Sequence, residues 1–293
     1  MIQVREYAYL SCDNSETPSM DMGIISPSTF DWLIELQAQW KKSVPVLHQK
    51  GRKLLKLDSY VGFLQSPTGE SIEILPKTQH DLPGDEELES LRELLRRMVL
   101  CSLNLKPREA GPASLQVLST PMHEWIFAEF LRELAALVRR GLRSDYHRVE
   151  KESRFVRGQL SMTKQLRQRP DRAHWFHIRH DIYSPNCVEN RLIKTAVGYT
   201  FQLTKDSGNW RLANELAHLL TELPAYQNPL RHLSKWRSGK LMQSYNGVRP
   251  WCELVLEHLN PNFQAGKQRG IALLFPMFRL FERFVGAALT KQL

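Results

Sequence analysis

Along roughly the first eighty positions, short apolar runs alternate with turn residues, the pattern of strands that bury one face. Val4-Arg5-Glu6-Tyr7-Ala8-Tyr9-Leu10 and Ser59-Tyr60-Val61-Gly62-Phe63-Leu64 both read as strands. Ser66-Pro67-Thr68-Gly69-Glu70 supplies turn chemistry, and Ser71-Ile72-Glu73-Ile74-Leu75-Pro76-Lys77 resumes the alternation, so the pair predicts a β-hairpin. Between the outer strands, Ser28 and Thr29 can cap a short helix that places Trp32, Leu33 and Leu36 at helical spacing.

After Pro83-Gly84-Asp85 the period becomes helical. Leu88, Leu91, Leu95, Met98 and Val99 form an apolar stripe with Glu89, Arg92, Glu93 and Arg96 opposite, which predicts an amphipathic helix ending near Pro107. The segment 106–121 loses this period except at a strand-like Leu115-Gln116-Val117-Leu118, so a domain boundary is expected near residue 112. A second helix over 122–138 carries Trp125, Ile126, Phe130, Leu134, Leu137 and Val138, with Gly141 placed as its C-cap. Strands are expected over 154–160 and 174–182, and helices from Cys187 through Val197, over 209–223 and over 248–259. The fold class is therefore α+β, with a β-rich N-terminal domain over 1–112 and a mixed, mainly helical middle domain over 113–265.

Composition narrows the function. The chain has 293 residues, 42% hydrophobic and 24% charged, as a folded protein should. Its formal net charge of +9 points to a polyanionic partner, because cationic surface releases counterions from phosphates. No apolar run approaches the roughly 18 residues a membrane span needs, and no basic head leads into an apolar N-terminal core, so a cytoplasmic location and no membrane contact are expected. Cys12, Cys101, Cys187 and Cys252 form no CxxC pair, which argues for free thiols over a zinc site or disulfides.

The charge is concentrated. Between Arg139 and Arg172 the cations include Arg148, Arg154, Arg157, Lys164, Arg167 and Arg169, with Tyr146 and Phe155 interleaved. These six are the candidate DNA-binding residues, able to track a phosphate backbone; a solvated basic face is the alternative. A second basic run, Arg231 to Lys240, holds Trp236, which would stack on a base if exposed and otherwise joins the core. His174, His177 and His180 recur at a spacing of three, but on a strand His177 faces away from the other two, so they cannot share one metal ion.

Five phrases, in order, resemble the McrC family: Ile72-Glu73-Ile74-Leu75-Pro76-Lys77, Gly141-Leu142 with Tyr146, Arg157-Gly158-Gln159-Leu160, Asn190-Arg191-Leu192-Ile193-Lys194 and Leu280-Phe281-Glu282-Arg283-Phe284-Val285. The resemblance implies the nuclease subunit of a 5-methylcytosine-dependent restriction and antiviral defence system. Its N-terminal region would insert into a ring of McrB, an AAA+ GTPase that reads the modified base, and would stimulate GTP hydrolysis. A C-terminal PD-(D/E)xK domain would cut double-stranded DNA. GTP would be bound by the partner, and this chain carries no GxxxxGK[ST] loop of its own.

A PD-(D/E)xK site needs acids on neighbouring strands to hold Mg²⁺ and a Lys beside the attacking water. The one Pro-Asp pair, Pro170-Asp171, sits in a basic turn with no Asp/Glu-x-Lys strand after it. The chain is therefore expected to hold, over 266–293, only the first helix of a truncated nuclease domain, with Glu282 the single candidate catalytic acid and Mg²⁺ expected only with the missing core. Whether this chain is itself an enzyme stays open. The alternative function is a stand-alone basic nucleic-acid-binding or adaptor protein without catalysis.

Overall fold

The computed structural model describes residues 1–13, 15–40, 44–77, 85–105, 120–258 and 270–292. In chain order the strands are β1 (Ile2–Arg5), β2 (Tyr9–Ser11), β3 (Met22–Ile24), β4 (Leu47–Gln49), β5 (Leu54–Leu57), β6 (Tyr60–Gln65), β7 (Ser71–Leu75), β8 (Asp145–Ser153), β9 (Gln159–Leu160), β10 (Phe176–Ser184) and β11 (Ile271–Pro276). The helices are α1 (Pro27–Gln39), α2 (Asp85–Ser102), α3 (Met122–Arg140), α4 (Met162–Gln165), α5 (Val188–Leu203), α6 (Ser207–Leu219), α7 (Leu230–Leu233), α8 (Arg249–His258) and α9 (Met277–Gln292). The fold is α+β.

The predicted hairpin is present: β6 and β7 pair antiparallel from Gln65↔Ser71 to Gly62↔Ile74. It forms the middle of a sheet ordered β1-β7-β6-β11, where β1 runs parallel to β7 and β11 antiparallel to β6. Both faces of this sheet are covered, and the period-two alternation sorts its side chains. Tyr60, Leu64, Ile72, Ile74 and Leu274 join a cluster with α1 and the second sheet, β3-β2-β5-β4. Val61, Phe63, Leu75, Leu273 and Phe275 point to the opposite side, into a larger cluster with the helices. Each such fully buried side chain contributes about 1.5–3 kcal/mol. Gly62 is required where β6 meets β11: a Cβ there would lie 2.1 Å from the Leu273 carbonyl, and its φ is +134°.

Several elements depart from the sequence reading. The single strand expected over Val4–Leu10 is two strands broken at Glu6 and Tyr7, with Tyr7 at φ 64°. The buried Glu6 carboxylate sits at the break, where the chain passes from one sheet to the other, and accepts Ser59 Oγ (3.3 Å) and Lys77 N (3.2 Å). Helix α1 starts two residues earlier than a Ser28 cap would set it, because Ser26 caps it and Pro27 follows. Helix α2 ends at Ser102 rather than near Pro107. Its residues Arg92 and Arg96, read as a solvated face, are buried. Arg92 meets buried Glu73, and Arg96 donates to the Thr120 carbonyl at 2.8 Å and lies 5.6 Å from the Trp125 ring. Helices cover α2 on one side and the sheet on another, so its polar residues need internal partners.

The strand β11 had no counterpart in the sequence reading, and it ties the segment after residue 270 into the sheet of the first segment. The strand-like run Leu115-Gln116-Val117-Leu118 and the boundaries near 112 and 265 lie outside the described residues. Among the described residues no helix is long and apolar enough to cross a membrane.

Candidate nucleic-acid interface

The basic block folds as a third sheet of order β8-β10-β9. The strand expected over 154–160 is instead a long β8 over Asp145–Ser153 followed by the two-residue β9, and β10 is shifted two residues later than expected. The overlooked signal is Tyr146-x-Arg148-x-Glu150-x-Glu152, period two with charge on one face. β8 and β10 pair over their full nine residues, from Ser184↔Asp145 to Phe176↔Ser153. The main packing partners of this arm are its own strands and the short α4 in its connector.

Gly158 lets the chain return. Its φ is +74°, and a Cβ would stand 2.5 Å from the Arg179 carbonyl and 2.7 Å from His180 Cβ, so only glycine allows β9 to reach β10. Gln165 fastens the connector, accepting His177 N at 2.9 Å and donating to the Trp175 carbonyl at 3.0 Å.

The two faces of the arm differ. One carries Ile178 and His180, both buried, with Leu160 alongside. The other is a ladder of cross-strand charges. Arg148 Nε donates to Asp181 at 3.3 Å, Arg179 Nε donates to Glu150 at 2.9 Å, and Lys164 donates to the other oxygen of Glu150. Arg172 and His177 flank Glu152 at 3.6 and 3.8 Å. The hydrogen bond from Lys164, then the charges around it, hold the Glu150 carboxyl below its ordinary range. These are exposed pairs, worth little to stability, but they neutralise each other.

All six sequence-predicted cations lie on this arm and are exposed. The structure divides them. Arg148 and Lys164 are matched with carboxylates in the ladder. Arg154 stacks over the Trp175 ring at 5.2 Å. Arg154 and Arg157 sit in the loop between β8 and β9, and Arg167 and Arg169 in the connector between β9 and β10; with Gly158 against His180, Arg157 lies part-way along β10, so the four are spread over the two links of the arm. Among the described residues no ion pair engages any of them. Phe155, Val156 and Leu166 stand in the same two links, Phe155 and Leu166 about 80% exposed. Phe155 and Tyr146 stand out in the sequence among the cations, whereas Val156, Leu166 and the cross-strand pairing of Tyr146 with Tyr183, whose ring centroids lie 5.0 Å apart on the ladder face, do not. Links carrying guanidinium groups without ion pairs and one exposed ring, Phe155, can bind phosphate and stack on a base.

The other candidates resolve differently. Trp236 is buried against Tyr245 and under Arg249, so it belongs to the core. His174 lies ahead of β10, and His177 and His180 sit on opposite faces of it. Glu282 is exposed on α9, and among the described residues no group of three or more His, Cys, Asp or Glu could hold a metal ion. A lone carboxylate does not supply the oxygen donor set Mg²⁺ needs, so no metal step follows from Glu282.

The sequence matches the family described as McrBC 5-methylcytosine restriction system component over residues 55–293. No curated protein matches it. Among solved structures, a chain of the Thermococcus gammatolerans McrBC complex determined by cryo-EM is similar with a TM-score of 0.71 at 20% identity, covering 99% of this chain and 87% of that one. A chain of the refined half-complex from the tetradecameric assembly of Thermococcus gammatolerans McrB AAA+ hexamers with bound McrC is similar with a TM-score of 0.72 at 19% identity, covering 100% of this chain and 70% of that one.

Proposed function

Since this chain belongs to the McrBC 5-methylcytosine restriction system component family, we propose that it acts as the McrC-like subunit of a GTP-dependent restriction complex, binding and stimulating an McrB-like AAA+ GTPase. The observation that carries this reading is the family match over 55–293, supported by a fold shared along the whole chain with structures of McrB hexamers bearing McrC. In this reading residues 1–112 engage the ring, the segment 113–265 links it to the nuclease and touches duplex DNA through the arm, and 266–293 opens the nuclease part. GTP stays with the partner. The arm's part is electrostatic: Arg154, Arg157, Arg167 and Arg169 meet phosphates without reading sequence, which leaves base recognition elsewhere in the complex.

The test is GTP turnover by the cognate AAA+ protein, with and without this chain in excess. The rate should rise with added chain and saturate at a fixed ratio to the ring. An unchanged rate, with the chain folded and in excess, would overturn the assignment and favour a stand-alone nucleic-acid-binding protein.

A further inference from the structure

The arm leaves the helical body at Arg143 and returns at Pro185, and one buried side chain holds both crossing points. Asn190, on the first turn of α5 and 0% exposed, donates through Nδ2 to the Arg143 carbonyl at 2.9 Å and to the Pro185 carbonyl at 2.7 Å. Its Oδ1 accepts the Tyr245 hydroxyl at 2.7 Å, and that hydroxyl in turn accepts Arg143 N at 2.9 Å. The circuit is closed: Arg143 is held by its N–H and by its C=O, and the outgoing and returning chains are fixed to one amide. Only this orientation of the amide satisfies all four bonds, and no other side chain of that size donates twice and accepts once there. Tyr245 is 1% exposed, and burial pushes its phenol up to about 12, so it stays a neutral donor.

A second tie lies alongside. Asp145, the first residue of β8, accepts Arg237 Nη1 at 2.8 Å, and Arg237 also meets the buried Glu189 carboxylate through its backbone N at 3.0 Å. The hydrogen bond from Arg237 holds the Asp145 carboxyl below its ordinary range. Arg237 is half exposed, so this tie is the weaker one. Neither tie is needed to form the arm, whose strands pair with each other, nor do they touch Arg154, Arg157, Arg167 or Arg169. What they fix is the angle at which the arm leaves the body.

We propose that Asn190, oriented by Tyr245, is the positioning residue that locks the direction of the β8–β10 arm, so that its exposed cations meet their polyanion at one set angle. This rests on the reading of the arm as a contact element, but its test does not. Spin labels at Thr163 on the arm and Glu215 on α6, both exposed, report the arm-to-body distance in the full chain with Cys12 and Cys101 replaced by Ser. The parent should give one narrow distance distribution. Tyr245→Phe, which removes one hydroxyl, and Asn190→Ala, which removes three bonds, should each at least double its width while the melting transition stays cooperative. Asn190→Ala should broaden it more. If either variant fails to fold, the other decides. A distribution as narrow as the parent's in a folded variant overturns the lock. Duplex affinity, measured on the same samples, separates the two ideas: a broadened arm with unchanged affinity keeps the lock and shows that DNA contact does not need the set angle.

Discussion

The Glu73 carboxylate, on the helix side of the central sheet, lies 3.1 Å from Arg92 Nε, and the two side chains are 0% and 7% exposed. Glu73 also accepts Met122 N, the first N–H of α3, at 3.3 Å. One acid therefore joins the sheet, α2 and α3. It sits at the odd position of Ile72-Glu73-Ile74, so the same alternation that buries its neighbours in one core drives this charge into the other.

Breaking that pair should be costly in proportion to the charge it strands. Arg92→Leu or Glu73→Gln should each lower stability by about 3–5 kcal/mol in urea unfolding, since each breaks a buried ion pair. The double variant Glu73→Leu with Arg92→Met should cost less than the two singles summed, though Met122 N still loses its acceptor. A single variant within 1 kcal/mol of the parent would show that water reaches this pair.

A second buried group makes stability depend on pH. His123 stacks on Phe63 with centroids 3.6 Å apart, and burial holds its imidazole down at about 4, against a weaker opposing pull from Glu124. The folded state then binds fewer protons than the unfolded state between pH 6.5 and 4. Stability is fully present above pH 6.5 and falls as pH drops through that window, by about 3 kcal/mol at pH 4. His123→Leu should remove this part of the acid limb. Glu6 acts with the opposite sign near pH 4.5, because burial raises its carboxyl pKa, so the comparison of parent with variant is the informative one. Parallel stability curves for the two from pH 7 to 4 would contradict the assignment.

What the sequence disclosed follows from how local each signal is. The hairpin at Ser66–Glu70, the apolar stripe of α2 and the Gly141 cap of α3 depend on neighbouring residues, and all three are present. What it withheld depends on distant residues. Ile271–Pro276 becomes a strand because β6 offers it a free edge about two hundred residues earlier. Arg92 looked solvated because its partner Glu73 lies on another element. In the arm, composition marked the cations, but whether each is free or matched is decided by strand register, as with Arg148 opposite Asp181. Asn190 was visible only as part of a family phrase; its work is set by carbonyls at Arg143 and Pro185.

That division of the cations leads to the sharpest test of the interface. Replacing Arg154, Arg157, Arg167 and Arg169 by Ala should weaken binding to every duplex alike and leave base preference unchanged, because phosphate contacts position without specifying. Each lost contact should shallow the slope of log affinity against log salt by roughly one. Arginine loss is informative because its planar fork gives directed hydrogen bonds as well as charge. Arg148→Ala with Lys164→Ala should do less, since Asp181 and Glu150 already hold those two cations in the ladder. Fluorescence anisotropy on a random-sequence duplex across a salt series reads both variants. Circular dichroism is needed alongside, because Arg154 also packs over Trp175. If the four-arginine variant is folded and keeps both affinity and slope, these four arginines are only a solvated surface. If the ladder variant loses as much as the four-arginine variant, the carboxylates give up their partners to DNA and the whole face binds.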